Sequence, residues 1–411
     1  MPIICGTDLS AASSGALEVA RALAVQRGDD EVVLLHIADP DGAERARSEL
    51  DAQAAKFPGA PTVRAELVTG SPEEALVNFA ETEGSDLIVI ASRSDGSGSA
   101  RLGTTAAQVI ARTSVPVLVI RDPAPWLAYA KGERPLRVLL GIDDSATCDL
   151  GIQWTQALRA KGPVEVVLGA IYYPDDAAAH YGFEAKALVD RDPQIEALMV
   201  RDLVRRFGGS TEHVVARARR GLGRIGDHVL ELANEEKVDA IVVGTGQKTG
   251  LGRLGSVSSI IVHDAHQSVV CVPPQAAVAT STVPTLRAAM VATDLSSFAN
   301  RAVAYAFAIT PPTGEIHLVH VLKEDADGDE AELVRQLRAL APIGSTQTVL
   351  AHVVRGDDAA TTLAQCAARH GVDVICISSH GRSGIARALV GSVADRLLRA
   401  TRLPVLVLRP A

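Results

Sequence analysis

Aromatic residues make up only 3% of this 411-residue chain, so its cores cannot rest on large rings. They must be built from Val, Leu, Ile and Ala, within a hydrophobic content of 47%. Strands buried on both faces read as such runs, which favours an α/β fold. Positive charge is also short: a formal charge of −9 and a pI near 5.7 leave no basic field for nucleic acid or anionic lipid. No segment approaches about 18 uninterrupted apolar residues, and the start MPIICGTDLS lacks the charged region and apolar length of a signal peptide. The five cysteines (Cys5, Cys148, Cys271, Cys366, Cys376) are odd in number, far apart and form no C-x-x-C pair. They read as buried small hydrophobes in a reducing compartment rather than as a disulfide framework. The expectation is a soluble, cytoplasmic protein with no nucleic-acid or membrane partner.

Motifs that would settle a chemistry are scarce as well. No G-x-x-x-x-G-K-[ST] string occurs, which excludes a P-loop. Two G-x-G-x-x-G strings begin at Gly221 and Gly250, but neither follows the first strand of a βαβ unit, so they are not dinucleotide fingerprints. The acidic run from Glu324 to Glu330 starts like a calcium loop, yet its glycine is misplaced and its twelfth position is Gln336; it reads as a solvated loop. His263 and His266 lie three apart without further ligands nearby, so the sequence points to no metal site.

What the chain has is a threefold internal repeat. PIICGTDLSAASSGAL from Pro2, LRVLLGIDDSATCDLGI from Leu136 and RAAMVATDLSSFANRAV from Arg287 each run from an apolar strand into an aspartate (Asp8, Asp143, Asp294) and a helix start. A second strand follows, then a third ending at Gly70, Gly221 or Gly356, and a fourth: DLIVIAS, DAIVVGTG or DVICISSHG. Gly103-Thr104, Gly255-Ser256 and Gly391-Ser392 then open a helix leading to a fifth strand. Strand alternating with helix predicts three doubly wound, mainly parallel five-stranded sheets of order 3-2-1-4-5, helices on both faces. The domains span residues 1–122, 136–274 and 285–411, joined by Pro- and Ala-rich stretches (Asp122 to Pro135, Pro273 to Thr285) that lack a helical stripe.

In such a sheet a ligand binds beyond the carboxyl ends of the strands where the winding reverses, between strands 1 and 4. The aspartate accepts from an exocyclic amine or ribose hydroxyl, a glycine turn admits backbone, and the helix opened by Gly-Ser offers free N–H groups to phosphate. An adenine nucleotide suits that division.

On these residues the chain resembles the universal stress protein family in tandem form, with three copies covering all but the linkers. Nucleotide-binding members show G-x-x-G, nine residues, then G-S or G-T after strand 4. The third repeat has Ser378, Ser379, His380, Gly381 and Arg382, then Gly391, Ser392 and Val393, departing only at the first glycine. With Ala292, Thr293, Asp294 and Val321, which lies where the family lines the base pocket, these form the site the resemblance implies for ATP, AMP or ADP, with Mg as companion. The second repeat supplies a looser candidate in Asp143, Gly244, Gly246, Lys248, Gly255 and Ser256; the first, Ala91-Ser-Arg93-Ser94 then Gly103, has lost both turn glycines and reads as a packing copy.

The strings H-I-G-H and S-G-G-x-D-S of adenylyl-transfer and ATP-pyrophosphatase relatives are absent. His36 and His320 on strand 2 have no nucleophile at matching spacing, the second repeat showing Gly169 instead. The expectation is therefore a nucleotide-binding stress sensor rather than a dedicated enzyme, with a nucleotide-free interaction scaffold and a slow ATPase as alternatives. Family members pair through the edge strand 5; two copies pair within the chain, and the third implies a homodimer. The segment from Tyr172 to Asp192, peculiar to the second repeat, either caps its pocket or contacts a neighbour.

Overall fold

The computed structural model describes the chain except residues 40–41, 95–99, 185–191, 247–254, 277–285, 380–390 and 410–411. The first repeat contains β1 (Ile3–Thr7), α1 (Ala11–Arg27), β2 (Glu31–Ala38), α2 (Ala43–Ala54), β3 (Thr62–Thr69), α3 (Pro72–Thr82), β4 (Leu87–Ala91), the short β5 (Arg93–Ser94) and β6 (Ala100–Arg101), α4 (Thr104–Arg112) and β7 (Val117–Ile120). After α5 (Ala124–Ala130), the second contains β8 (Leu136–Gly141), α6 (Ala146–Arg159), β9 (Val164–Tyr172), α7 (Pro174–Tyr181), α8 (Pro193–Phe207), β10 (Val214–Arg220), α9 (Ile225–Glu235), β11 (Ala240–Gly244), α10 (Ser256–Asp264) and β12 (Ser268–Val272). The third contains β13 (Ala288–Ala292), α11 (Arg301–Ile309), β14 (Glu315–Leu322), α12 (Glu330–Ala339), β15 (Thr348–Arg355), α13 (Ala359–His370), β16 (Val374–Ser378), α14 (Ser392–Ala400) and β17 (Val405–Leu408).

The chain forms two compact units, Met1–Tyr172 with Leu203–Thr282, and Tyr173–Asp202 with Val283–Ala411. In the first unit the expected order 3-2-1-4-5 occurs twice, but not as separate sheets. One ten-stranded sheet runs β10-β9-β8-β11-β12-β7-β4-β1-β2-β3. Its halves join where β7 and β12 pair antiparallel, Val117 opposite Cys271 and Val119 opposite Val269. Both strands are fully buried, and fifth-strand edges of hydrophobic Val/Leu sequence left open would recruit other chains, so covering each with the other removes that exposure. A single apolar layer lines one face across both halves, drawing Leu76 and Val77 of α3, Ile110 of α4, Leu232 of α9 and Ile261 of α10 onto the strands.

In the second unit the sheet runs β15-β14-β13-β16-β17, all parallel. One face carries α13 and α14 through Leu363, Cys366 and Leu397, and the other carries α11 and α12 through Val303, Phe307 and Leu337. Residues 173–202, although they belong to the second repeat in sequence, fold in this unit. Arg369 on α13 donates to the Tyr181 and Gly182 carbonyls at the end of α7 and lies 5.0 Å from the Phe183 ring. Gln365 donates to Ala179, and Arg201 on α8 donates to the Ala368 and Arg369 carbonyls at 2.6 Å each. Of the two roles expected for the segment from Tyr172, contact with a neighbouring repeat is the one its described residues take.

The first linker is also more ordered than expected. Residues 124–130 form α5, with Trp126 and Tyr129 almost wholly buried and the Tyr129 hydroxyl donating to Leu158 O at 2.8 Å. Pro125 stands in the first helical turn, where proline starts a helix rather than breaking it, and two aromatics three apart suffice as an apolar stripe for seven residues. All five cysteines are buried thiols, as expected; burial pushes Cys5 up to about 12.

Candidate functional site

Among the three repeats the third carries the best-matched residues, and its parallel order places β13 between β14 and β16. Chain winding reverses there, and Ala292 lies opposite Ile377, so Thr293 and Asp294 leave one strand beside Ser378 and Ser379 leaving the next. Ala292, Thr293, Ser378 and Ser379 are buried, while Asp294 is half-exposed. The backbone turns sharply after Asp294 because Leu295 adopts φ +64°, a left-handed conformation costly for a leucine. Two side chains hold it: Thr293 Oγ1 accepts from the Leu295 N–H at 3.0 Å, and Asp294 Oδ1 accepts from Ser296 N–H at 3.0 Å. Thr293 also donates to Asn300 at 2.7 Å, and the His320 ring meets the Thr293 carbonyl at 2.9 Å. His320 is thus a buttress of the turn.

The first repeat repeats this device. Leu9 has φ +65°, its N–H is accepted by Thr7 Oγ1 at 2.9 Å, Ser10 N–H donates to Asp8, and His36 meets the Thr7 carbonyl at 2.8 Å. Buried Gln53 ties it down further, bonded to Thr7 and Ser14. Burial raises Asp8, but hydrogen bonds from Ser10 and Ser13 outweigh it and hold the carboxyl below its usual range. The shared string T-D-L-S was visible in the sequence; the roles of its threonine and of the second-strand histidine were not.

The second repeat is built otherwise. Ile142 replaces the threonine, and the strand register puts Ala170, one residue past Gly169, where the histidine stands elsewhere. The sequence alignment through Gly169 is corrected by that residue. Gly169 answers to packing, since a Cβ there would lie 2.9 Å from Leu139 and Leu232 atoms. Asp143 accepts from Ser145 N–H at 2.8 Å and from Cys148 Sγ at 2.9 Å, while Arg206 donates to the carbonyls of Asp143 and Ser145. Burial would raise Asp143, yet Cys148, Ser145 and the Arg206 charge keep it lowered.

After the fourth strands, Gly391, Gly255 and Gly103 each stand at the N-cap of a helix, extended (φ −55°, −58° and −68°) and without a side-chain cap. Ser392, Ser256 and Thr104 begin those helices, so the first-turn N–H groups, with the positive end of the dipole, have no capping side chain. Val393 is half-buried against the α13–α14 core, as is Val321, on the same face of the sheet. Gly246 has open space where a Cβ would stand, and Gly255 approaches its carbonyl. Gly244 differs: a Cβ there would meet Thr147 side-chain and backbone atoms at 2.9–3.0 Å, so α6 accounts for this glycine. At the same place the third repeat has Ser378, whose hydroxyl donates to Phe298 O at 3.1 Å. His380, Gly381, Arg382 and Lys248 lie outside the described residues.

Among curated proteins none matches the chain. Solved structures do. A universal stress protein from Archaeoglobus fulgidus DSM 4304 is 18% identical over 66% of this chain and 97% of its own, with a TM-score of 0.49. A functionally unknown protein from Pseudomonas aeruginosa PAO1 is 16% identical over 67% of this chain and 92% of its own, with a TM-score of 0.50. A universal stress protein in complex with cAMP is 23% identical over 29% of this chain and 96% of its own, with a TM-score of 0.26. The universal stress protein family itself matches three times, over residues 1–121, 136–273 and 285–409. These spans coincide with the three β-α repeats and leave out only the linkers and the last two residues, so the chain belongs to the universal stress protein family as a tandem of three copies.

Proposed function

We propose that this protein binds an adenine nucleotide, ATP or its AMP and ADP products, chiefly in the third repeat, and acts as a stress-response sensor or regulator. The observation that carries the reading is the meeting, at the winding reversal between β13 and β16, of a buttressed Asp294 turn and the same strand ends that lead to the uncapped start of α14. Asp294 suits the base or ribose, Val321 the adenine face, and the first-turn N–H groups of α14 with the Ser392 hydroxyl the phosphates. A triphosphate would bring Mg as counter-ion. The second repeat, with Asp143 and the Gly255-Ser256 helix start, is the weaker second site, and the first a packing copy. His320 is engaged with Thr293, which supports a binding role over a dedicated catalytic one.

The reading further takes the protein to work in the cytoplasm, where buried thiols stay reduced; no helix among the described residues is long and apolar enough to cross a membrane. It also takes β17, which pairs only with β16 among the described residues, as the edge of a homodimer. Mass spectrometry of nucleotide released from protein purified without additions tests the first claim. An adenine nucleotide bound by wild type and lost in Gly391→Asp supports it; an empty protein that binds no added ATP leaves the scaffold reading. Turnover of labelled ATP, lost in the same variant, would promote the slow ATPase.

A further inference from the structure

At the other end of the third-repeat sheet, remote from the strand carboxyl ends, three histidines converge. Parallel register sets Leu350 opposite His317 and His352 opposite Val319, so His317 and His352 are diagonal neighbours on β14 and β15. Alternation turns both toward the face on which Val319 and Val354 pack, the face covered by α13. His370 is the last residue of α13, before Gly371 reverses the chain with φ +63°. A parallel crossover returns a helix's C-terminus to the strands' amino ends, which delivers the third ring.

One ring nitrogen from each of the three lies within 4.8 Å of the other two; His317 is buried and the others half-buried. His317 Nδ1 is 3.1 Å from His352 Nε2. Ring centres are 5.2 Å apart for His317 with either partner and 4.2 Å for His352 with His370. Three imidazoles on a tetrahedral ion with Zn–N near 2.05 Å would have nitrogens about 3.4 Å and ring centres about 5 Å apart. Two of the three ring pairs already stand at that spacing, and the third must open by about 1 Å.

We propose that His317, His352 and His370 form a binding site for a divalent transition ion, best suited to Zn²⁺, with a fourth position open to water. Imidazole sets of this kind select zinc and its neighbours over the hard cations. Glu315 stands where such sites place their outer support: its carboxylate lies 3.4 Å from His317 Nε2, while Nδ1, 3.1 Å from His352 Nε2, is the nitrogen that faces the other rings. The positive groups nearby, Arg369 and Arg201, are occupied by carbonyls at the end of α13 and on α7. An ion here would clamp β14, β15 and α13 together.

The test uses the full-length chain without a histidine tag, stripped with EDTA. Titration with Co²⁺ should give the intense visible bands of a four-coordinate ion, and calorimetry with Zn²⁺ one site per chain that raises the melting temperature. His370→Gln, at a half-exposed helix end, and His352→Gln should each weaken Zn²⁺ at least about 30-fold, and Glu315→Gln about 10-fold, in the range of outer-shell losses. His263→Gln should change nothing. Absence of a four-coordinate Co²⁺ spectrum in the wild type overturns the proposal whatever the variants do, as does Zn²⁺ affinity unchanged in both histidine variants.

Discussion

At the end of the fourth strand the second and third repeats occupy one backbone position with different residues, Gly244 and Ser378, and the helix after the first strand decides which. In the second repeat α6 begins at Ala146, and Thr147 reaches the point where a Cβ would stand. In the third, α11 begins only at Arg301; turns through residues 297–300 come first, and their carbonyls take the Ser378 hydroxyl. A glycine in a nucleotide-like string can therefore record the approach of a helix as readily as that of a ligand. The third repeat breaks the family pattern at this residue, and its later helix start leaves room for the Ser378 side chain.

The largest effect should come from opposed charge at the two helix starts. Gly391→Asp, setting a carboxylate against the phosphates, should weaken adenine nucleotide binding at least about 100-fold by calorimetry, whereas Gly255→Asp should leave most of it. Equal losses would dissolve the ranking of the sites. Next, Gly244→Ala should cost about 1 to 3 kcal/mol in urea unfolding because Thr147 must give way, while Ser378→Ala, losing a hydrogen bond with space to spare, should cost about 1. A neutral Gly244→Ala would return that glycine to the ligand.

The turn shared by the first and third repeats offers a subtler comparison. Thr7→Val should cost about 2 kcal/mol and Thr293→Val about 1, since Thr7 also bonds to Ser13 and to buried Gln53. Smallest is the titration of Asp143, followed by carboxyl NMR. Its folded-state value is depressed, so its contribution to stability is present above pH 3.8 and lost as the pH falls through that lower value. In Cys148→Ala the midpoint should move up, one of its hydrogen bonds being gone.

Much of this was legible in the chain. Apolar runs ending in Asp8, Asp143 and Asp294 marked the first strands, and Gly103, Gly255 and Gly391 do stand at helix starts. What escaped had three-dimensional causes. The helix at Ala124–Ala130 is only seven residues, too short for a period to show. His317, His352 and His370 are far apart in sequence, and only the β14–β15 register and the span of α13 bring them together. The placement of α7 and α8 with α13 depends on Arg369 and Arg201 finding helix-end carbonyls, which no local pattern announces.

The antiparallel seam between β7 and β12 has one more consequence. Its register is centred on Leu118 opposite Val270, matching positions of two repeats, so a local dyad passes between them. In a dimer of identical chains every substitution beside such an axis is felt twice, and the surface must complement itself. Fusion removes that demand. Arg121, just past β7, donates to Val262 O at 2.6 Å and its N–H to Ser268 at 3.2 Å, while the dyad-related place past β12 holds Pro273. Joined in one chain, the two halves of the seam are free to drift apart in sequence and still keep one another as partners.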